Sequence, residues 1–180
     1  MTRWPMLLFF GGIVALWGQP AEAHGPTPQK AAERIVVASP PAAVWSLVGE
    51  FSAMANWHPG VASSVGSGDN TPGSERTLTL RSGGVLVEGL DEYSAETMSY
   101  SYRLSKENVE ALPVSFYSAT LSVKPADGGG SQVEWLGRFY RGDTGNFPPD
   151  HLSDEAAVAA MTQFFREGLE GLKARLEAGQ

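Results

Sequence analysis

The feature that most constrains this chain is a change of period. From Val61 to Tyr140 apolar and polar residues alternate in steps of two, whereas from Ser153 to Ala178 apolar residues recur at three- and four-residue steps. A period of two marks strands with one buried face, and a period near 3.6 marks a helix with one buried stripe. Strands followed by one long amphipathic helix define an α+β chain in which that helix must cover the apolar face of the sheet.

The alternation predicts strands over 61–67, 75–80, 85–93, 97–104, 114–124 and 132–140. Their separators are turn formers: Gly66 to Ser74, Ser82-Gly83-Gly84, which suits a tight hairpin, and Asp127 to Gly130. Consecutive strands should therefore pair as an antiparallel meander. Its inner face is written by Met98, Tyr100, Tyr102 and Leu104, and by Val133, Trp135, Gly137 and Phe139.

Ahead of the meander, Glu33 to Ala38 reads as a strand partly buried on both faces. Ser39 is expected to cap a short helix with Pro40 and Pro41 in its first turn and Val44, Leu47 and Val48 as its stripe. A second helical turn, Ser52 to Trp57, is stopped by Pro59. In the long helix Ser153 serves as cap, and Asp154 and Glu155 complement the positive end. The buried stripe is Val158, Met161, Phe165, Leu169, Leu172 and Leu176. Gly168 and Gly171 each cost about 1 kcal/mol relative to Ala. They point either to close backbone approach or to room for something beneath.

The N-terminus carries an address. Arg3 precedes an apolar run from Met6 to Trp17, and Ala21-Glu22-Ala23 supplies small residues for cleavage, the pattern of a secretory signal peptide over residues 1–23. The run is shorter than the roughly 20 residues a spanning helix needs. The expectation is a soluble periplasmic protein cleaved after Ala23 and not held by a membrane. Residues 24–180 would form one domain, with 24–32 as an extended arm. The chain has no cysteine, which excludes disulfides, thiol catalysis and thiolate metal ligands. Its net charge of −7 and lack of a basic run argue against nucleic acid as a partner.

One strand, two short helices, six meandering strands and a long terminal helix make an order that resembles the helix-grip fold of the START-like (SRPBCC, polyketide cyclase-like) superfamily. Local marks of the resemblance are Ser39-Pro40-Pro41-Ala42-Ala43-Val44-Trp45, the stretch from Phe51 to Trp57-His58-Pro59, and Gly168 to Leu172. The resemblance implies a curved seven-stranded antiparallel sheet wrapped around the terminal helix. A narrower group is suggested by His24 to Lys30, by Phe139 to Asn146, and by Pro148-Pro149 leading into Asp154 to Ala157. These segments are similar to those of the MxaD-like periplasmic methanol-oxidation accessory proteins. That similarity implies a non-enzymatic role assisting a quinoprotein methanol or alcohol dehydrogenase and its c-type cytochrome. The broader superfamily implies two alternatives: a polyketide cyclase or dehydratase, and a simple carrier of a hydrophobic small molecule.

The residues themselves offer a candidate apolar pocket lined by Trp57, His58, Met98, Tyr100, Tyr102, Tyr117, Trp135, Phe139, Met161 and Phe165. The same side chains equally suit a filled core. His58 is the candidate for proton chemistry, set against a structural reading in which Trp57 packs and Pro59 stops the helix. Arg138, Arg141 and Asp143 lead into a Gly- and Pro-rich loop and form the candidate partner surface. After cleavage His24 would pair its imidazole with a free amine, a copper-chelating arrangement if His58 or His151 came near, against the reading of a mobile arm. Asp143, Asn146 and Asp150 lack the spacing of a calcium loop and read as turn formers. No cofactor and no metal site is expected.

Overall fold

The computed structural model describes residues 25–178. The segment expected to be a signal peptide, the expected cleavage site after Ala23 and His24 lie outside the described residues. Seven strands form one antiparallel sheet: β1 (Gln29–Val37), β2 (Val61–Gly66), β3 (Glu75–Leu80), β4 (Val85–Ser94), β5 (Ser99–Lys106), β6 (Val114–Pro125) and β7 (Ser131–Arg141). Their spatial order is β1-β7-β6-β5-β4-β3-β2, so every neighbour is a sequence neighbour except β1, which returns to β7. Helix α1 (Pro41–Val48) and a 3₁₀ turn (Phe51–Asn56) follow β1, and helix α2 (Asp154–Ala178) closes the chain. This is the α+β helix-grip arrangement, with α2 lying along β1 and β7.

The meander follows from its turns. Ser82-Gly83-Gly84 closes the β3–β4 hairpin, with the Leu80 amide donating to the Gly84 carbonyl at 3.1 Å. Gly84 adopts φ +86°, a region that side chains disfavour. The hairpin fixes the register, and Arg76 comes to lie opposite Glu88.

Several boundaries differ from expectation for physical reasons. Strand β1 starts at Gln29, because residues 29–32 find partners on β7 from Phe139 back to Leu136, so the stretch read as the end of an arm is strand. Val36 is exposed on β1, an edge strand with one buried face rather than two. The N-cap of α1 falls on Pro40, one residue past Ser39, and has no side-chain cap. Met98 takes φ +49° in the β4–β5 turn, so β5 begins after it and Met98 is only partly buried. By contrast Ser153 caps α2 as expected, its hydroxyl accepting from the Ala156 amide at 3.2 Å.

The core lies between the sheet's concave face and the helices. Met161, Phe165, Leu169 and Leu172 of α2 are buried against it. Gly137 brings β7 so close to α2 that a Cβ there would stand 2.8 Å from the Phe165 ring. At Gly168 a Cβ would meet His58 and Trp135 at 2.7 Å, and at Gly171 it would meet Pro59 at 2.3 Å. The helix glycines therefore serve close approach.

Candidate functional site

The candidate pocket residues do converge. Trp57, His58, Tyr100, Tyr102, Tyr117, Trp135, Phe139, Met161 and Phe165 are all buried on the inner face, and Met98 sits at its margin. Their rings touch one another. Trp135 stacks on Phe165 with centroids 4.4 Å apart, Trp57 tilts against Trp135 at 5.5 Å, and Tyr102 meets Tyr117 edge-on at 6.4 Å.

His58 sits at the end of the 3₁₀ turn, where Pro59 ends the helical backbone and α2 crosses above it. Its Nε2 lies 2.9 Å from the Phe164 carbonyl, and its Nδ1 accepts from the Gly60 amide at 3.0 Å. A carbonyl can only accept and an amide can only donate, so the ring must carry its single proton on Nε2. Adding a second proton would set Nδ1–H against the Gly60 N–H. Burial is the main cause that lowers its pKa to about 4, against opposing contributions from the Phe164 carbonyl and the Glu167 charge. At neutral pH this imidazole is a fixed, neutral strut.

The polar centre of the interior lies elsewhere, on β3 and β4. Arg76 and Glu88 are both fully buried, and Arg76 Nε donates to Glu88 Oε2 at 2.5 Å. Arg76 Nη1 donates to the Phe51 carbonyl at 2.7 Å, and the guanidinium lies over the Phe51 and Tyr102 rings at 4.1 and 4.7 Å. The Tyr117 hydroxyl donates to the second oxygen of Glu88. Trp135 Nε1 donates to the Tyr102 hydroxyl at 2.9 Å. Burial opposes the Arg76 charge most strongly, but Glu88, Tyr100 and Tyr102 together outweigh it and the guanidinium holds its proton more firmly than usual. Burial, reinforced by Glu88, pushes the Tyr102 and Tyr117 phenols well up, so both stay neutral, Tyr117 as a donor to Glu88 and Tyr102 as an acceptor from Trp135. Burial also raises Tyr100, with the Arg76 charge offsetting part of the rise.

Neither Arg76 nor Glu88 was among the residues singled out from the sequence. The signal was present: Arg76 alternates with Leu78 and Leu80, and Glu88 falls between Leu86 and Leu90. A hairpin centred on Ser82 places these opposite charges face to face.

The candidate partner surface divides. Arg138 is exposed on the outer face, in a groove of about 550 Å³ shared with Lys30, Asp91, Ser101 and Ser118. Arg141 is not a surface residue: it continues the inward series Trp135, Gly137, Phe139 and is 8% exposed. Its Nε donates to the Asp143 carbonyl at 2.7 Å, Nη2 to the Gly145 carbonyl at 2.8 Å and Nη1 to Asp154 at 3.0 Å. Asp143 is half-buried, and its carboxylate accepts from the Gly145 amide at 2.7 Å, as a turn former should. Of the proposed copper partners, His58 has both ring nitrogens engaged inside the protein, while His151 is exposed.

Comparison with known proteins bears on the same region. Residues 28–177 match the family described as polyketide cyclase / dehydrase and lipid transport. Among solved structures, the protein XoxI from Bacillus cereus is 26% identical, with a TM-score of 0.65 over 87% of this chain and 99% of that one. A protein from Thermobifida fusca is 30% identical, with a TM-score of 0.63 over 81% of this chain and 91% of the other. An uncharacterized protein from Bacillus thuringiensis is 25% identical, with a TM-score of 0.65 over 82% and 97%. No curated protein matches the chain.

Proposed function

We propose, for a chain that belongs to the polyketide cyclase / dehydrase and lipid transport family, a role as an exported, non-enzymatic accessory protein. Its clients would be a periplasmic quinoprotein methanol or alcohol dehydrogenase and the c-type cytochrome that takes the electrons. The observation that carries the non-enzymatic part is the state of His58. A general base needs a lone pair aimed at substrate and a pKa near the working pH. His58 has both nitrogens bound to backbone and a pKa lowered to about 4. The buried phenols of Tyr102 and Tyr117 are raised away from neutrality as well. Support for the client comes from the segments 24–30, 139–146 and 148–157 that resemble the methanol-oxidation accessory group. Export rests on the signal-like residues 1–23.

The test uses protein recovered from the periplasm. N-terminal sequencing should begin at His24. Added to the purified dehydrogenase and cytochrome, the protein should raise the rate of cytochrome reduction, and His58→Gln should raise it equally. The reading fails if reduction is unaffected, or if the protein turns over a cyclisable ketone in a His58-dependent way.

A second reading, carriage of a small apolar molecule, is favoured by one observation. Among the described residues the buried Trp57 Nε1 makes no hydrogen bond, and the buried Arg76 Nη2 and Tyr100 hydroxyl have no partner beyond their own mutual approach. All three can donate, so a ligand suited to them brings acceptors, as a flat ketone does. Native mass spectrometry of the periplasmic protein tests this directly. An adduct that is lost in Arg76→Met, with the fold intact by circular dichroism, supports carriage; a bare mass in gentle conditions counts against it.

A further inference from the structure

Phe147 is 95% exposed, more than any other large hydrophobic side chain of the described residues. It stands in the loop between β7 and the short 3₁₀ turn Asp150–Leu152 that precedes α2. A lone exposed phenylalanine on a slack loop would need no explanation, but this loop is built. The buried Arg141 guanidinium ties together the Asp143 carbonyl, the Gly145 carbonyl and the Asp154 carboxylate. The Asp143 amide donates to the Leu152 carbonyl at 3.3 Å, and Leu152 donates to Pro149 at 2.9 Å. A side chain at Gly142 would strike Leu152 at 2.8 Å and crowd the Pro113 backbone. The tip is stiffened differently: Pro148 and Pro149 follow Phe147, and a residue before proline is confined to extended backbone.

An aromatic carried on a clamped loop suits an interface anchor, because little backbone conformational entropy remains to be lost on docking. Phe116, 58% exposed, belongs to the same corner of the sheet, since its neighbour Ser115 donates to the Arg141 carbonyl at 2.9 Å. The charge around the anchor selects the partner. No Lys or Arg stands between Arg141 and Arg166, whereas Asp143, Asp150, Asp154 and Glu155 all do, and only Asp154 is spent on Arg141. A corner this acidic, on a chain of charge −7, repels anionic lipid headgroups and a second copy of itself.

We propose that the 142–150 loop is a preformed docking knob, in which Phe147 enters an apolar pocket rimmed by Lys or Arg on a partner protein. The identity of that partner, though not the knob itself, rests on the accessory reading above.

The test measures affinity of the processed full chain for the purified dehydrogenase and for the purified cytochrome. Phe147→Ala should weaken binding to one of them at least tenfold without moving the unfolding midpoint. Val65→Ala, at the next most exposed large apolar residue of those described, on the far edge strand β2, should leave binding unchanged. Wild-type affinity in Phe147→Ala overturns the knob. If the wild-type chain binds neither protein, the accessory reading falls and a photo-crosslinking benzoylphenylalanine at position 147 or 65 decides the knob in the expressing cell. An adduct from 147 alone, to one protein identified by mass whose purified form binds Phe147→Ala at least tenfold more weakly, sustains it. No adduct, or the same adduct from both positions, overturns it. So does a Phe147-dependent binding to phosphatidylglycerol–phosphatidylethanolamine vesicles, or a Phe147-dependent dimer in sedimentation.

Discussion

Protonating His58 in the folded protein means breaking its bond from the Gly60 amide and burying a charge under α2. The unfolded chain pays neither cost and titrates near 6.5, whereas the folded ring titrates at about 4. Between those values the unfolded state binds more protons, so stability is complete above pH 6.5 and declines as pH falls towards 4. The difference amounts to about 3 kcal/mol. Urea unfolding at pH 7.5 and pH 4.5 should show this loss in the wild type, and His58→Gln should shed most of it. Equal pH sensitivity in the two proteins would show that carboxylates alone set the acid limit. A similar argument applies to Arg76. Removing it strands the Glu88 carboxylate in the core, and Arg76→Met should cost about 3–5 kcal/mol in urea denaturation. The double replacement Arg76→Met with Glu88→Leu should recover a large part, because it removes both desolvated charges. Residue roles such as these were the least legible in the sequence. Arginine is read as exposed by default. Yet Arg76 and Arg141 both obey the period of two that turned their neighbours inward.

At the scale of elements, the positions of strands and helices were legible because periodicity and turn chemistry agreed. Strand β3 begins and ends where the alternation placed it, and Ser153 caps α2 because its hydroxyl has an open amide three residues on. What failed were features set by partners rather than by local pattern. The early start of β1 depends on β7 lying alongside, and the left-handed turn at Met98 leaves no mark in an alternation that runs through it. The glycines of α2 occupy the boundary between these cases, since sequence raised both close approach and a ligand space, and only the neighbours decide. Replacing Gly171 by Ala should gain about 1 kcal/mol in an isolated helix. In this protein the new methyl would meet Pro59 Cδ at 2.3 Å and the Trp57 carbonyl at 2.5 Å. Neither is the end of a flexible side chain, and overpacking of this kind costs about 1–3 kcal/mol. Gly171→Ala should therefore destabilise the protein in urea, and a stabilised variant would show that α2 does not press on the 3₁₀ turn.

For the whole molecule, the decisive contact joins the ends of the sheet sequence. Strand β1 has β7 as its one strand neighbour, pairing Gln29 with Phe139 and Val37 with Ser131, and α2 then covers both. The intervening meander can form hairpins locally, but its concave face stays open until β7 and α2 arrive. Trp135, fully buried, and Met161, Phe165 and Leu172 all belong to those last elements. Closing a loop of this length before its contacts form costs entropy and slows folding. The chain should thus refold in milliseconds to seconds, with tryptophan fluorescence and far-UV circular dichroism changing together in one step. The sharper test is a truncated chain of residues 25–130. It keeps six of the strands named above, including β1, but removes the partner of β1 and the cover of the core. Such a fragment should show no cooperative urea transition. A sigmoidal transition in that fragment would mean that the meander folds by itself, and that β7 and α2 dock onto an existing domain instead of completing one.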